Sequence, residues 1–355
     1  MGVIWRELFP TKLSIFIFFG YMSLFVCQGL LVTYSQESNS SYKYNTVVVV
    51  LLTEVTKLFT SCLFYLKDNN FKSLLYNIKK DSNILLLYFV PAFLYCLYNN
   101  LAFINLSRFD PTTYYLLLQF RVVITGFLFQ VIFKKNLSKR QWMSLVLLTA
   151  GCMLKQIHIN EPEVAESSKA SSKNMNGFDF SLSAVFILAQ TVCSCLAGVY
   201  NEYLLKDKGV DVNIFIQNVF MYIDSIVCNI VVLIMQGDVQ TIFYKQNLTS
   251  LFSLNVILII INNSAIGIIT SFFLKYMNSI LKTFASAIEL MFTAVLCYFL
   301  FAIPIYINTI LAISVVSIAI YLYSQNPVLN MVKRPVVNTS ERENFLDEEL
   351  DMEEV

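Results

Sequence analysis

The sequence predicts an all-α polytopic membrane protein with ten transmembrane helices in two inverted five-helix repeats. Three observations carry that reading. The chain is 57% hydrophobic and only 14% charged, with a mean hydropathy of +0.62, whereas soluble domains carry roughly 25% charged residues. Apolar runs of about the 20 residues needed to cross a bilayer recur ten times. Lysine and arginine are distributed unevenly between the two ends of those runs, as positive-inside orientation requires.

The runs lie near 13–34, 45–66, 84–106, 112–133 and 141–157, then near 180–205, 213–235, 250–274, 279–301 and 303–324. The first is long enough to span and lacks an A-x-A-like end, so it reads as a helix and not as a cleavable signal peptide. Connections are short except for the Ser/Lys/Glu-rich stretch NEPEVAESSKASSKNMNG, which punctuates the chain as a flexible linker. The expected organisation is a cytosolic N-terminus at 1–12, a first repeat at 13–157, a lumenal linker at 158–178, a second repeat at 179–325 and an acidic cytosolic tail at 326–355.

Sixteen basic residues fall on the side of both termini and six on the other, with Lys57, Arg121 and Lys282 inside spans. Both termini are therefore expected in the cytosol, with Asn39 in a lumenal glycosylation sequon and Asn136 in a cytosolic one. The pattern from Phe109-Asp110 to Phe133, followed by a span ending at Gln156, recurs from Met277-Asn278 to Phe301 and Gln325. Since five spans are an odd number, a second copy must lie inverted, as in transporters with a central site between repeats.

Composition also excludes functions. A net charge of +1 with scattered basic residues argues against a nucleic-acid partner. The eight cysteines all lie in apolar runs, where they act as small packing residues. Cys193-x-Cys195 has no histidine or second cysteine pair beside it, and no metal or other cofactor is expected. No Walker A loop, G-x-S-x-G elbow or H-E-x-x-H is present, so nothing supports an enzyme. The last residues, ERENFLDEELDMEEV, read as a solvated segment or a partner-binding one.

A charge at the centre of a span costs at least about 2.5 kcal/mol and must face protein, water or ligand. Arg121 lies seven residues after Tyr114, two turns of a continuous helix and hence one face. Lys282, Ser286 and Glu289 form a second stripe, Asn218 and Tyr222 a third. Span three adds Asn99 and Asn100, span eight adds Asn262, Asn263, Thr270 and Ser271, and span two adds Glu54 and Lys57. Asparagines and serines also bond neighbouring helices in membrane bundles, and Glu54 with Lys57 also fits a local ion pair. Two cations in different halves, flanked by amides and tyrosines, suit an anionic ligand with a phosphate, a base edge and a sugar.

The segments LLTEVTKL (51–58), YNNLAFINLSRFDPTTYYLLLQFR (98–121), KKNLSKRQWMSLVLLTAGCML (134–154), LAGVYNEYLLK (196–206), IQNVFMY (216–222) and SFFLKYMNSILKTFAS (271–286) resemble the nucleotide-sugar transporters. The resemblance is to the branch carrying CMP-sialic acid, UDP-galactose and UDP-N-acetylglucosamine, and runs collinearly over roughly residues 13–325. It implies the drug/metabolite transporter fold and a Golgi or endoplasmic reticulum antiporter exchanging a nucleotide sugar for a nucleoside monophosphate. YNEYLLK and IQN favour a UDP-sugar over CMP-sialic acid. A non-transporting scaffold for Golgi glycosylation enzymes is the alternative of a different class. Self-association and glycosyltransferases are the protein partners such a transporter would take. By the resemblance, Asn99, Tyr114, Arg121, Asn218, Tyr222, Ser271 and Lys282 line the substrate cavity; Glu54, Lys57, Asn100, Glu202, Ser286 and Glu289 are further cavity or structural candidates. Arg121 stands where the sialic-acid member has lysine, and Thr283 stands where KGF is common.

Overall fold

In a computed structural model of the chain, residues 9, 11–35, 46–108, 111–156, 177–236, 253–301 and 307–328 are described. They form α1 (Lys12–Ser35), α2 (Thr46–Asp68), α3 (Phe71–Lys80), α4 (Ser82–Arg108), α5 (Pro111–Leu118), α6 (Arg121–Phe133), α7 (Lys139–Gln156) and α8 (Gly177–Tyr203). A π-helical turn (Leu204–Lys208) leads to α9 (Ile214–Gln236), α10 (Leu254–Tyr276), α11 (Ser279–Phe301) and α12 (Ile307–Ser324). Asn39, most of the 158–178 linker and the acidic tail lie outside the described residues.

Among the described residues nine stretches are long and apolar enough to cross a membrane, one of them running through α5 and α6. The tenth expected span is α7, whose ends carry Lys139, Arg140 and Lys155. It packs along α12, so closely that a Cβ at Gly151 would come within 2.8 Å of Val316 Cγ2. The outward faces suit lipid: Phe16, Leu86 and Phe299 are more than 70% exposed. Such exposure of large apolar side chains on a monomer surface marks a membrane or partner contact.

Helix packing repeats between the halves. If α1, α2, α4, α5–α6 and α7 correspond to α8, α9, α10, α11 and α12, the pair α4–α8 maps onto α10–α1. Likewise α4–α9 maps onto α10–α2, α6–α8 onto α11–α1, and α6–α7 onto α11–α12, while α2–α9 and α7–α12 map onto themselves. That is the contact pattern of a two-fold exchange, and five crossings per half put its axis in the membrane plane.

Two features differ from the sequence expectation. The connection after span two contains α3, whose Leu74 is buried among Tyr65, Tyr88 and Ile216 and whose Asn77 donates to the Tyr65 hydroxyl at 2.7 Å. Span four is not continuous. At its centre Gln119, Phe120 and Val122 N–H groups bond carbonyls three residues back, a tight 3₁₀-type turn that ends α5 and starts α6 at Arg121. The two-turn spacing of Tyr114 and Arg121 therefore does not place them on one face.

The end of α8 is fixed by charge. Lys206 pairs with Glu202 at 2.9 Å and donates to the Met277 carbonyl, while Glu202 Oε2 accepts the Ser279 N–H at 2.7 Å. Both side chains are almost fully buried, and the pair tethers the π-turn to the start of α11. Glu202 thus ties the end of α8 to the start of α11. The following connection is held by Gln217, which accepts from Tyr88 at 2.6 Å and donates to the carbonyls of Gly209 and Val212.

Candidate functional site

Two cavities meet inside the bundle. The first, of about 110 Å³, is lined by Arg121, Lys282, Ser286, Thr125, Ser194 and Tyr95, among others. Arg121 enters as the opening residue of α6 and Lys282 from the first turn of α11. Neither has an ion-pair partner among the described residues. Thr125 Oγ1 and Cys195 Sγ both donate to the Arg121 carbonyl, at 2.7 and 3.3 Å, anchoring the start of α6 to itself and to α8.

The second cavity, of about 210 Å³, is lined by Asn99, Tyr222, Ser271, Thr270, Asn201 and the Glu54–Lys57 pair, among others. Here the cation is compensated. Lys57 Nζ lies 2.7 Å from Glu54 Oε1 and 5.5 Å from the centre of the Tyr222 ring, a cation–π contact. Gly267 makes room for it, since a Cβ there would fall 2.5 Å from Lys57 Cε. Tyr95 lines both cavities and is the wall they share. Neither volume alone reaches the roughly 300–1,000 Å³ typical of ligand sites, but the two adjoin.

Of the residues expected from sequence, the structure brings Asn99, Tyr222, Ser271, Glu54 and Lys57 to one cavity, and Arg121, Lys282 and Ser286 to the other. Tyr114 lies outside both; it packs on Ile187 and accepts from Gln190 at 2.8 Å, which in turn accepts from Asn105 at 2.6 Å. Asn218 is buried one turn before Tyr222, with its Nδ2 lacking a partner among the described residues. Glu289 accepts from Thr293 at 3.2 Å and lies within electrostatic reach of Arg121 and Lys155, without lining either cavity. Asn100 belongs to α4, and its side chain is outside the described residues. Asn262, one of the polar residues of span eight, donates to the Leu24 carbonyl at 3.1 Å, a helix–helix bond of the kind membrane bundles use.

Sequence reasoning missed Tyr95, Asn201, Ser225 and Asn229, all of which line the second cavity. Three carried a signal: Tyr95 precedes Asn99 by one helical turn, and Ser225 and Asn229 extend the Asn218–Tyr222 stripe at helical spacing. Among the described residues no cluster of His, Cys, Asp and Glu gathers to hold a metal.

The sequence profile of the nucleotide-sugar transporter family matches residues 13–324. The chain belongs to that family. It is 65% identical to the UDP-galactose transporter senju of Drosophila melanogaster, over 96% of this chain and 94% of that protein. It is 32% identical to CMP-sialic acid transporter 1 of Oryza sativa subsp. japonica, over 87% and 92% of the two chains. The figures for CMP-sialic acid transporter 1 of Arabidopsis thaliana are 29%, 88% and 89%. A solved structure, described only as the crystal structure of a protein, superimposes with a TM-score of 0.62 over 89% of this chain and 97% of that one. At 10% identity that likeness concerns the fold alone.

Proposed function

We propose that this chain is a Golgi nucleotide-sugar antiporter that brings a UDP-sugar, with UDP-galactose first to be tested, into the lumen in exchange for UMP. The observation that carries the reading is the cavity in which Arg121 and Lys282, from opposite halves, face each other's space with no acidic partner among the described residues. Two cations without an ion-pair partner in a membrane interior suit an anion, and a diphosphate is one. The break that starts α6 at Arg121 adds to this. Half-helix N-termini at mid-membrane carry positive dipole ends suited to anionic substrate groups.

On this reading the phosphates sit between Arg121 and Lys282, and the nucleoside or sugar extends past Tyr95 towards Tyr222, Asn99, Asn201 and Ser271. The Glu54–Lys57 pair leaves that second compartment polar without net charge, which fits neutral hydroxyl and amide edges. The choice of UDP over CMP rests on the 65% identity to a UDP-galactose transporter against 32% and 29% to the CMP-sialic acid transporters of Oryza sativa and Arabidopsis thaliana. Residues 13–157 and 179–325 are then the two repeats that rock about the site, with both termini in the cytosol.

The test is reconstitution in liposomes preloaded with UMP or CMP, followed by uptake of labelled UDP-galactose, UDP-N-acetylglucosamine and CMP-sialic acid. Uptake of a UDP-sugar driven by internal UMP is the expected result. Exchange of CMP-sialic acid for CMP alone assigns the other base, and exchange of none leaves a scaffold for glycosylation enzymes. A C-terminal tag protected from protease in sealed vesicles would reverse the orientation.

A further inference from the structure

We propose that the acidic segment at residues 341–355 docks on the basic surface around the point where the described chain ends. Val328, the last described residue, is held firmly. Its carbonyl accepts from Asn278 at 2.9 Å and its N–H donates to the Tyr323 hydroxyl at 3.4 Å. Asn326 is fastened to the start of α7: its carbonyl accepts from Gln141 at 2.9 Å and its side chain donates to Ser138 at 3.1 Å. The chain therefore leaves the bundle between the α7 N-terminus and the turn that joins α10 to α11.

That exit adjoins a basic stretch. Residues 134–140 read KKNLSKR, four basic residues with no acid, and Lys134, Lys135, Lys139 and Arg140 are all exposed. Lys135 lies within electrostatic reach of Lys206, which pairs with Glu202 and bonds the Met277 carbonyl beside Asn278; Lys208, two residues on, is exposed, with Asp207 and Asp211 in the same stretch. Lys139 and Arg140 occupy the first turn of α7, where the helix dipole disfavours cations and favours carboxylates. The Ser138–Gln141 capping box, with Ser138 N–H donating to Gln141 Oε1 at 2.7 Å, secures the helix but supplies no negative charge.

The complementary charge is in the same chain. Residues 341–355 hold eight Asp or Glu against one arginine, with Phe345, Leu346, Leu350 and Met352 interspersed. The twelve residues from 329 to 340 reach up to about 40 Å when extended, far more than the exit region requires. Individual exposed ion pairs are weak, but a tether of this length holds the segment at millimolar effective concentration. The contact should therefore form within one chain and weaken with salt.

The experiment uses the full-length protein with Phe345 replaced by the photo-crosslinking residue p-benzoylphenylalanine, irradiated in vesicles of phosphatidylcholine and phosphatidylserine and mapped by mass spectrometry. The expected adducts fall on residues 134–140 or 204–211 of the same chain. Their yield should drop at least fivefold in 0.5 M NaCl and in Lys139→Glu/Arg140→Glu, and return when Glu348→Lys/Glu349→Lys is added. Adducts to lipid, to the basic helix α3 or to a second copy would overturn the proposal, as would no adduct or a yield indifferent to the charge swap. Lys134→Glu/Lys135→Glu provides the same reading should the first double variant fail to express.

Discussion

Span four and α11 occupy corresponding places in the two halves, yet one is broken and the other continuous. The register that aligns Phe109 with Met277 is a shift of 168 residues, which carries Tyr114 onto Lys282 and Arg121 onto Glu289. Along α11, Lys282 lines the cavity, while Glu289, two turns on, bonds Thr293 and lies within electrostatic reach of Lys155 and Arg121. Along span four the turn at Gln119–Phe120 separates the equivalent pair: Arg121 lines the cavity, while Tyr114 is turned to Gln190. The fold's two-fold symmetry is thus not the site's symmetry. Each half supplies one cation, but from non-equivalent positions, and the helix break lets Arg121 and Lys282 share one cavity.

The largest effect should follow from removing either cation. Hydrogen bonds to charged groups contribute about 1.5–3 kcal/mol each, so Arg121→Ala or Lys282→Ala should lower nucleotide affinity by about tenfold to over a hundredfold. Nucleotide-dependent thermal stabilisation of the purified protein, then exchange in liposomes, measures it. If both variants express, bind UMP and exchange like the parent, the two halves do not meet at a phosphate.

Arg121→Lys should have a smaller effect. It keeps the charge at the start of α6 but loses the guanidinium fork and its two parallel bonds. Partial exchange, with affinity between those of the parent and Arg121→Ala, is expected. Parental activity would mean that Arg121 acts as a point charge, and that the departure from the lysine of the sialic-acid branch has no consequence for phosphate geometry.

How much of this was legible in the sequence depends on what each feature rests upon. The ten spans, the internal cations and the Asn218–Tyr222 stripe follow from local hydropathy and helical period, which need no tertiary information. The break at Gln119–Phe120 was not legible. Neither proline nor glycine marks it; the flanking YYLLLQFRVV is as helix-compatible as any run in the chain. The turn is imposed by packing, with α5 against α7 and α8 and α6 against α7, α8 and α11. Glu54 and Lys57, three residues apart, were ambiguous because spacing permits an ion pair without requiring it. What decided for the pair was Gly267 on a different helix, which no local pattern reveals. Tyr95 was visible in principle one turn before Asn99, but its position as the wall between two cavities is a property of the assembled bundle.

Glu289→Gln tests the acidic member of the equivalent pair. Its carboxylate lies within electrostatic reach of Lys155 and Arg121, so removing the charge frees positive potential for the anion. The variant should bind nucleotide at least as tightly as the parent, by no more than a few-fold, with turnover altered. Retention in the endoplasmic reticulum would instead make Glu289 a structural partner of Thr293.

The smallest effect is expected at Tyr114, and there the family resemblance and the geometry part. The resemblance implies that Tyr114 touches substrate, in which case Tyr114→Phe should weaken nucleotide binding. The geometry gives its hydroxyl to Gln190, which is itself bonded to Asn105, a chain linking α5, α8 and α4. Losing this bond costs about 1–3 kcal/mol of stability, because the Gln190 amide donor is left buried without that acceptor. The expected outcome is therefore a lowered melting temperature in the absence of ligand and an unchanged nucleotide affinity. Gln190→Leu, which removes the donor instead, should destabilise likewise and leave affinity alone. A drop in affinity in Tyr114→Phe but not in Gln190→Leu would return Tyr114 to the cavity. It would also mean that the turn at Gln119–Phe120 straightens during the transport cycle, restoring the face that Tyr114 and Arg121 share in a continuous helix.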